Sequence, residues 1–96
     1  METTSSSSSF RIAESPTFRK SLNRLDSRES IYQRIVTQVY PMLRSDPFFG
    51  PHIKRLKGNL SDYYRYRIGG YRLLYAIDSE NRVVVVTRIA HRKDAY

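Results

Sequence analysis

The run Ile68-Gly69-Gly70-Tyr71 constrains this chain more tightly than any other feature. It separates two segments, Tyr63 to Ile68 and Tyr71 to Ile77, that are rich in aromatic and β-branched residues and alternate in character. Two glycines between such segments mark a two-residue hairpin turn, because the favoured turns need positive φ and glycine adopts it freely. A turn of that length also sets the register. Ile68 faces Tyr71, Arg67 faces Arg72, Tyr66 faces Leu73, Arg65 faces Leu74 and Tyr64 faces Tyr75. Side chains alternate across a sheet, so Tyr64, Tyr66, Ile68, Tyr71, Leu73 and Tyr75 form a core face. Tyr63, Arg65, Arg67, Arg72 and Leu74 form the other.

That second face is where the register becomes chemistry. Like charges directly opposite each other weaken a strand pair, and Arg67 stands opposite Arg72 with Arg65 nearby. Either the side chains splay into water, or an anion between them removes the repulsion. The planar guanidinium fits phosphate in a bidentate fork, and three arginines converging on one side favour the anion. Tyr63 and Tyr96 suit stacking on an unpaired base. His91 and Arg92 close the last strand within reach of the rim of the arginine face. Lys54-Arg55-x-Lys57-Gly58 reads as a basic loop ahead of the hairpin, either simply solvated or in contact with a nucleic-acid backbone that it positions without reading sequence.

The rest of the chain supplies elements to cover the core face. Phe10 to Ala13 alternates like a short strand. Ser15-Pro16 reads as an N-cap followed by proline at the first helical position, and Phe18, Leu22 and Leu25 make one apolar stripe. Asp26 with Glu29 resembles a capping box and begins a second helix with the stripe Ile31, Ile35, Val39 and Leu43. Pro41 either kinks that helix or ends it near Tyr40. Asp46-Pro47 and Gly50-Pro51 are loop signals. After Asp78 to Asn81, Val83 to about Ala90 makes a further strand. The expectation is an α+β domain of order β-α-α-β-β-β, with a helical hairpin packed on one face of a small, mainly antiparallel sheet. Met1 to Ser9, polar and serine-rich, is expected to be a disordered tail, leaving residues 10–96 as one domain.

Charge points to the partner. Seventeen Lys and Arg against nine Asp and Glu give a net charge of +8, and the isoelectric point is about 10.1. Residues 51–96 carry ten of those bases against four acids, the asymmetry of a polyanion-binding half. No cysteine is present, which excludes disulfides and thiolate metal sites. Two histidines argue against a zinc-hydrolase centre. No stretch reaches the ~20 apolar residues of a membrane span. A soluble, cytoplasmic protein with no metal and no cofactor is the matching expectation.

Three segments, Leu56-Lys57-Gly58, Tyr64-Arg65-x-Arg67-x-Gly-x-Tyr71-Arg72-Leu73-Leu74-Tyr75 and His91-Arg92-x-x-x-Tyr96, together resemble the RelE/ParE superfamily of toxin–antitoxin toxins, RelE branch. The resemblance runs from about Phe10 to Tyr96 and keeps the order of elements given above. It implies a ribosome-dependent endoribonuclease that cuts messenger RNA in the decoding site without a metal, and a cognate antitoxin that covers the basic groove. It further implies that Arg72 stabilises the scissile phosphate, that Arg65 and Arg67 assist from the preceding strand, and that Arg92 acts on phosphate or leaving group. It also implies that Tyr96 stacks on or orients the nucleotide, and the residue reading above adds Lys54, Arg55, Lys57 and Tyr63 as RNA-binding candidates. Some relatives carry lysine where Arg65 and Arg67 stand, or a glutamate near Lys54. Arginine does not deprotonate in proteins, so His91, with a reference pKa near ~6.5, is left as the proton carrier. Two alternatives share the fold or the charge: a ParE-like inhibitor of DNA gyrase without enzymatic activity, and a basic RNA-binding module without catalysis.

Overall fold

Ser15 caps the first helix, α1 (Pro16–Asn23), by accepting the Phe18 N–H at 3.0 Å. Pro16 takes the first helical position, where a missing N–H has no consequence. The structure, a computed structural model, describes residues 9–57 and 62–91. Of the serine-rich segment only Ser9 falls among them. Strand β1 (Arg11–Glu14) precedes α1, and helix α2 (Arg28–Arg34) follows it. This second helix does not begin with an Asp26 capping box. Ser27 is the N-cap and makes no side-chain cap bond; its carbonyl accepts the Ile31 N–H at 2.9 Å, and Glu29 faces the positive end of the helix from the first turn.

Pro41 neither stops the chain near Tyr40 nor leaves the helix regular. Past α2 the hydrogen bonding opens into a π-helical turn (Ile35–Val39), closed by the Tyr40 N–H on the Ile35 carbonyl. Helix α3 (Tyr40–Ser45) then carries Pro41 in its first turn. A proline inside a regular helix removes one bond and drives its ring against the carbonyl four residues back. Changing the bonding register just upstream places Pro41 where no such bond is required.

The sheet has five strands, one more than the sequence suggests. Ile53–Arg55 forms β2 on the edge of β3 (Tyr63–Ile68), pairing Ile53 with Tyr66, Lys54 with Arg65 and Arg55 with Tyr64. The basic cluster around Lys54 is therefore a strand rather than a loop. Strands β4 (Tyr71–Asp78) and β5 (Val83–His91) complete the order β1-β5-β4-β3-β2, with β1 parallel to β5 and all other pairs antiparallel. The stripe Ile31, Ile35, Val39 and Leu43 is buried throughout, with Phe18, against Tyr66, Ile68, Leu73, Tyr75, Val84, Val86 and Ile89. Leu22 and Leu25 are half-buried at its margin. No helix among the described residues is long and apolar enough to cross a membrane.

Two polar devices tie the layers together. Glu14, at the end of β1, accepts the Tyr32 and Tyr40 hydroxyls at 2.8 and 2.7 Å and pairs with Arg19 at 3.2 Å. One carboxylate thus joins β1 to all parts of the helical layer. On the far side of β5, pairing with β1 ends at Val86. Serines of α1 and its cap take over there: Ser15 Oγ donates to the Thr87 carbonyl at 3.3 Å, and Ser21 Oγ accepts the Ile89 N–H at 3.0 Å. Buried backbone groups that lose a strand partner need such replacements.

The tyrosines make a pH prediction. Burial, followed by the hydrogen bond to Glu14, holds Tyr40 well above the ordinary tyrosine value of 10.0. Burial does the same for Tyr75, whose hydroxyl donates to the Pro47 carbonyl at 2.7 Å. With folded pKa values raised, the native state keeps protons that the unfolded chain releases above pH 10. Stability from these groups is full below about pH 10 and declines above it. Urea unfolding between about pH 8 and 11.5 is expected to show a plateau and then a fall. Tyr40→Phe should lessen the alkaline slope by up to about 1.4 kcal/mol per pH unit.

Candidate nucleic-acid interface

Gly69 takes φ of +54°, the left-handed conformation that the two-residue turn requires. The register then follows as the sequence implies: Ile68 opposite Tyr71, Arg67 opposite Arg72, Tyr66 opposite Leu73, Arg65 opposite Leu74 and Tyr64 opposite Tyr75. Tyr66, Ile68, Leu73 and Tyr75 are buried under the helices, and Tyr64 and Tyr71 pack at the edge of that core.

Across the other face the rows can be followed through four strands. Lys54, Arg65, Leu74 and Arg88 form one row; Arg67, Arg72 and Ala90 form the next; Tyr63, Ala76 and Val85 form a third. Five cations of β2 to β5 therefore share one face, with Tyr63 beside them and Arg11 of β1 beyond Val83. Leu74 lies buried between Arg65 and Arg88, the expected surroundings for long side chains whose stems cover apolar surface. Arg72 Nη1 donates to the carbonyls of Gly69 and Tyr71 at 3.3 and 3.1 Å, while Arg67 is exposed. Turn carbonyls thus offset part of the repulsion between the pair. Asp78, opposite Val83, is the one carboxylate that β3 to β5 place on this face; it sits at the far end, held below its usual pKa by hydrogen bonds from Asn81.

Arg88 was not apparent from the sequence, and a bulge explains why. Tyr75 pairs with Val86 but Leu74 pairs with Arg88, so Thr87 is an extra residue in β5. Its hydroxyl donates to the Leu74 carbonyl at 3.1 Å. One inserted residue exchanges the faces of everything that follows. Ala90 joins Arg72 on the open face, and His91 moves opposite Tyr71 on the helix side. The two rings meet edge to face, with centroids 5.3 Å apart. This corrects the expectation that His91 reaches the rim of the arginine face. Its Nε2 instead lies 3.4 Å from where a Cβ on Gly70 would sit.

The remaining candidates divide. Lys54 and Tyr63 join the face. Arg55 pairs with Tyr64 and turns to the opposite side, where it borders a depression with Phe48, Asp62 and Tyr64. Lys57 is exposed beyond the end of β2. Gly58, Arg92 and Tyr96 lie outside the described residues.

Residues 12–96 match the family described as ParE toxin of type II toxin–antitoxin system, parDE. The chain belongs to the RelE/ParE superfamily of type II toxins. Its relatives include Toxin RelG of Mycobacterium tuberculosis, 36% identical over 80 residues that make up 83% of this chain and 87% of RelG. Among solved structures, the toxin–antitoxin complex RelBE2 of the same organism contains a chain 31% identical to this toxin. They superpose with a TM-score of 0.74 over 90% of this chain and 94% of that one. The archaeal RelE–RelB complex of Pyrococcus horikoshii shares the fold, with a TM-score of 0.68 at 24% identity over 91% and 99% of the two chains.

The facing arginines of this toxin should carry a measurable stability penalty. Arg67→Thr is expected to stabilise the free domain by about 0.5 kcal/mol at low ionic strength. The gain should shrink as salt screens the pair, and Arg67→Lys, which keeps the charge, should show none. Urea unfolding of the three proteins at low and high salt is the check.

Proposed function

We propose that this toxin is a ribosome-dependent endoribonuclease that cuts messenger RNA in the decoding site. The observation that carries the proposal is the convergence of Arg65, Arg67 and Arg72, with Lys54 and Arg88, on one open sheet face in a chain similar to RelE-type toxins. In the reaction the ribose 2′-oxygen attacks the adjacent phosphorus, the bond from phosphorus to the 5′-oxygen breaks, and a 2′,3′-cyclic phosphate and a 5′-hydroxyl result. The 2′-hydroxyl proton is lost and the leaving 5′-oxygen gains one. Catalysis of this kind rests on in-line positioning and on cations placed where negative charge grows.

Arg72 is assigned to the scissile phosphate through the resemblance, and turn carbonyls hold its guanidinium. Arg65 and Arg67 flank it. Arg92 and Tyr96 enter through the resemblance alone, Arg92 on the phosphate and Tyr96 on the nucleotide. His91 is reassigned from proton carrier to positioning residue, since its ring packs on Tyr71 behind the arginine face. The proposed partners are ribosome, messenger RNA and a cognate antitoxin. The antitoxin follows from the RelBE2 and RelE–RelB complexes, and its acidic groups would neutralise the arginines in storage.

The match to a ParE family favours a second reading on the same fold, inhibition of DNA gyrase without cleavage. Induced expression with mapping of messenger 5′ ends separates the two. Growth arrest with codon-phased cuts is expected, and Arg72→Ala should lower cleavage on ribosomes by about a hundredfold or more. His91→Ala should stay within roughly tenfold of wild type, below the full effect of a general acid or base. Arrest with intact messengers and loss of supercoiling would establish the gyrase reading instead.

A further inference from the structure

Strand β2 begins at Ile53, and just ahead of it the His52 carbonyl accepts the Arg67 N–H at 2.9 Å. Between this point and the hairpin tip, the edge of β3 and the π-helical turn enclose a groove of about 440 Å³. Arg34, Gln38, His52, Tyr66, Arg67 and Arg72 line it, and no carboxylate does so among the described residues. Arg34 approaches from the helix: its Nη1 would lie 3.8 Å from a Cβ on Gly69, so its guanidinium lies over the bare turn. Its helical neighbours one turn away, Ser30 and Gln38, are uncharged. His52 is exposed and leans on Tyr66, with ring centroids 5.5 Å apart and planes tilted by 42°. The Tyr66 hydroxyl donates to Met42 Sδ at 3.4 Å.

We infer that this groove is a second nucleotide subsite, in which Arg34 and Arg67 hold an RNA phosphate and the His52 ring stacks on the attached base. Three guanidiniums without a lining acid suit a phosphate, and an exposed aromatic ring beside them suits an unpaired base. The size is that of a small-ligand site. An acidic peptide would satisfy the arginines but leave the ring unused. Continuity also favours RNA, because Arg67 and Arg72 belong to both the open face and the groove. A strand lying on that face would pass round the sheet edge at the hairpin tip.

The inference rests on the RNA reading of the open face, and binding separates the two. A fluorescein-labelled RNA dodecamer is titrated by anisotropy across a series of salt concentrations with wild type, Arg34→Ala, Arg34→Gln, His52→Ala and Arg72→Ala. Thermal unfolding confirms that each variant is folded. Both Arg34 variants are expected to bind roughly three- to tenfold more weakly, with the slope of log K against log salt smaller by about one. His52→Ala should weaken binding about fivefold or more with an unchanged slope. Wild-type binding by the Arg34 and His52 variants, with Arg72→Ala weakened, would overturn the subsite and leave the arginine face standing. No loss in any variant would overturn both. An Arg34 variant that loses a polyglutamate peptide while keeping RNA would assign the groove to an acidic protein segment instead.

Discussion

A two-residue turn admits one register, and nearly everything distinctive about this molecule follows from that register. With Gly69 in the left-handed region and Ile68 opposite Tyr71, each aromatic residue of β3 and β4 that faces the helices is matched by a basic or small one facing away. Neither face can be changed alone. Sliding the hairpin by one residue would bury Arg65, Arg67 and Arg72 and expose Tyr66, Leu73 and Tyr75, which the hydrophobic effect forbids. Core burial therefore enforces the juxtaposition of Arg67 and Arg72, and the packing energy of one side maintains electrostatic strain on the other. Such strain is what a phosphate relieves.

The helical layer is held to this sheet by fewer, more specific contacts. Glu14 gathers two tyrosine hydroxyls and an arginine from three segments of helix, and the serines at either end of α1 complete the backbone of β5 where β1 no longer reaches. These contacts leave the opposite face of the sheet uninvolved. Stability and ligand binding are thus drawn from different sides of the same five strands.

How much of this was legible in the sequence depends on how local the cause was. The hairpin register, the Ser15 cap and the stripe from Ile31 to Leu43 are set by neighbours within a few residues, and each was readable. Strand β2 was not, because three residues between Pro51 and Lys57 carry no period of their own; the open edge of β3 makes them a strand. The bulge at Thr87 was hidden for a related reason. Val83 to Val86 gives four identical side chains in a row, so no alternation marks which pair faces inward or where the phase changes. Missing that one residue exchanged the faces of Arg88 and His91, gaining a cation for the site and removing a histidine from it. Arg34 lay on a helix and was invisible to an argument built on the hairpin.

The π-helical turn has a geometric consequence beyond making room for Pro41. Apolar residues spaced strictly by four drift about 40° round a regular helix with each step. Ile31, Ile35, Val39 and Leu43 would then wind through roughly a third of a revolution and leave the sheet. A turn that takes more residues to close rotates the later ones back. All four side chains remain buried, and the stripe from Ile31 to Leu43 advances roughly 18 Å without twisting out of contact with the sheet. The irregular turn acts as a phase corrector: it converts a four-residue repeat, which a uniform helix would read as a spiral, into a straight seam.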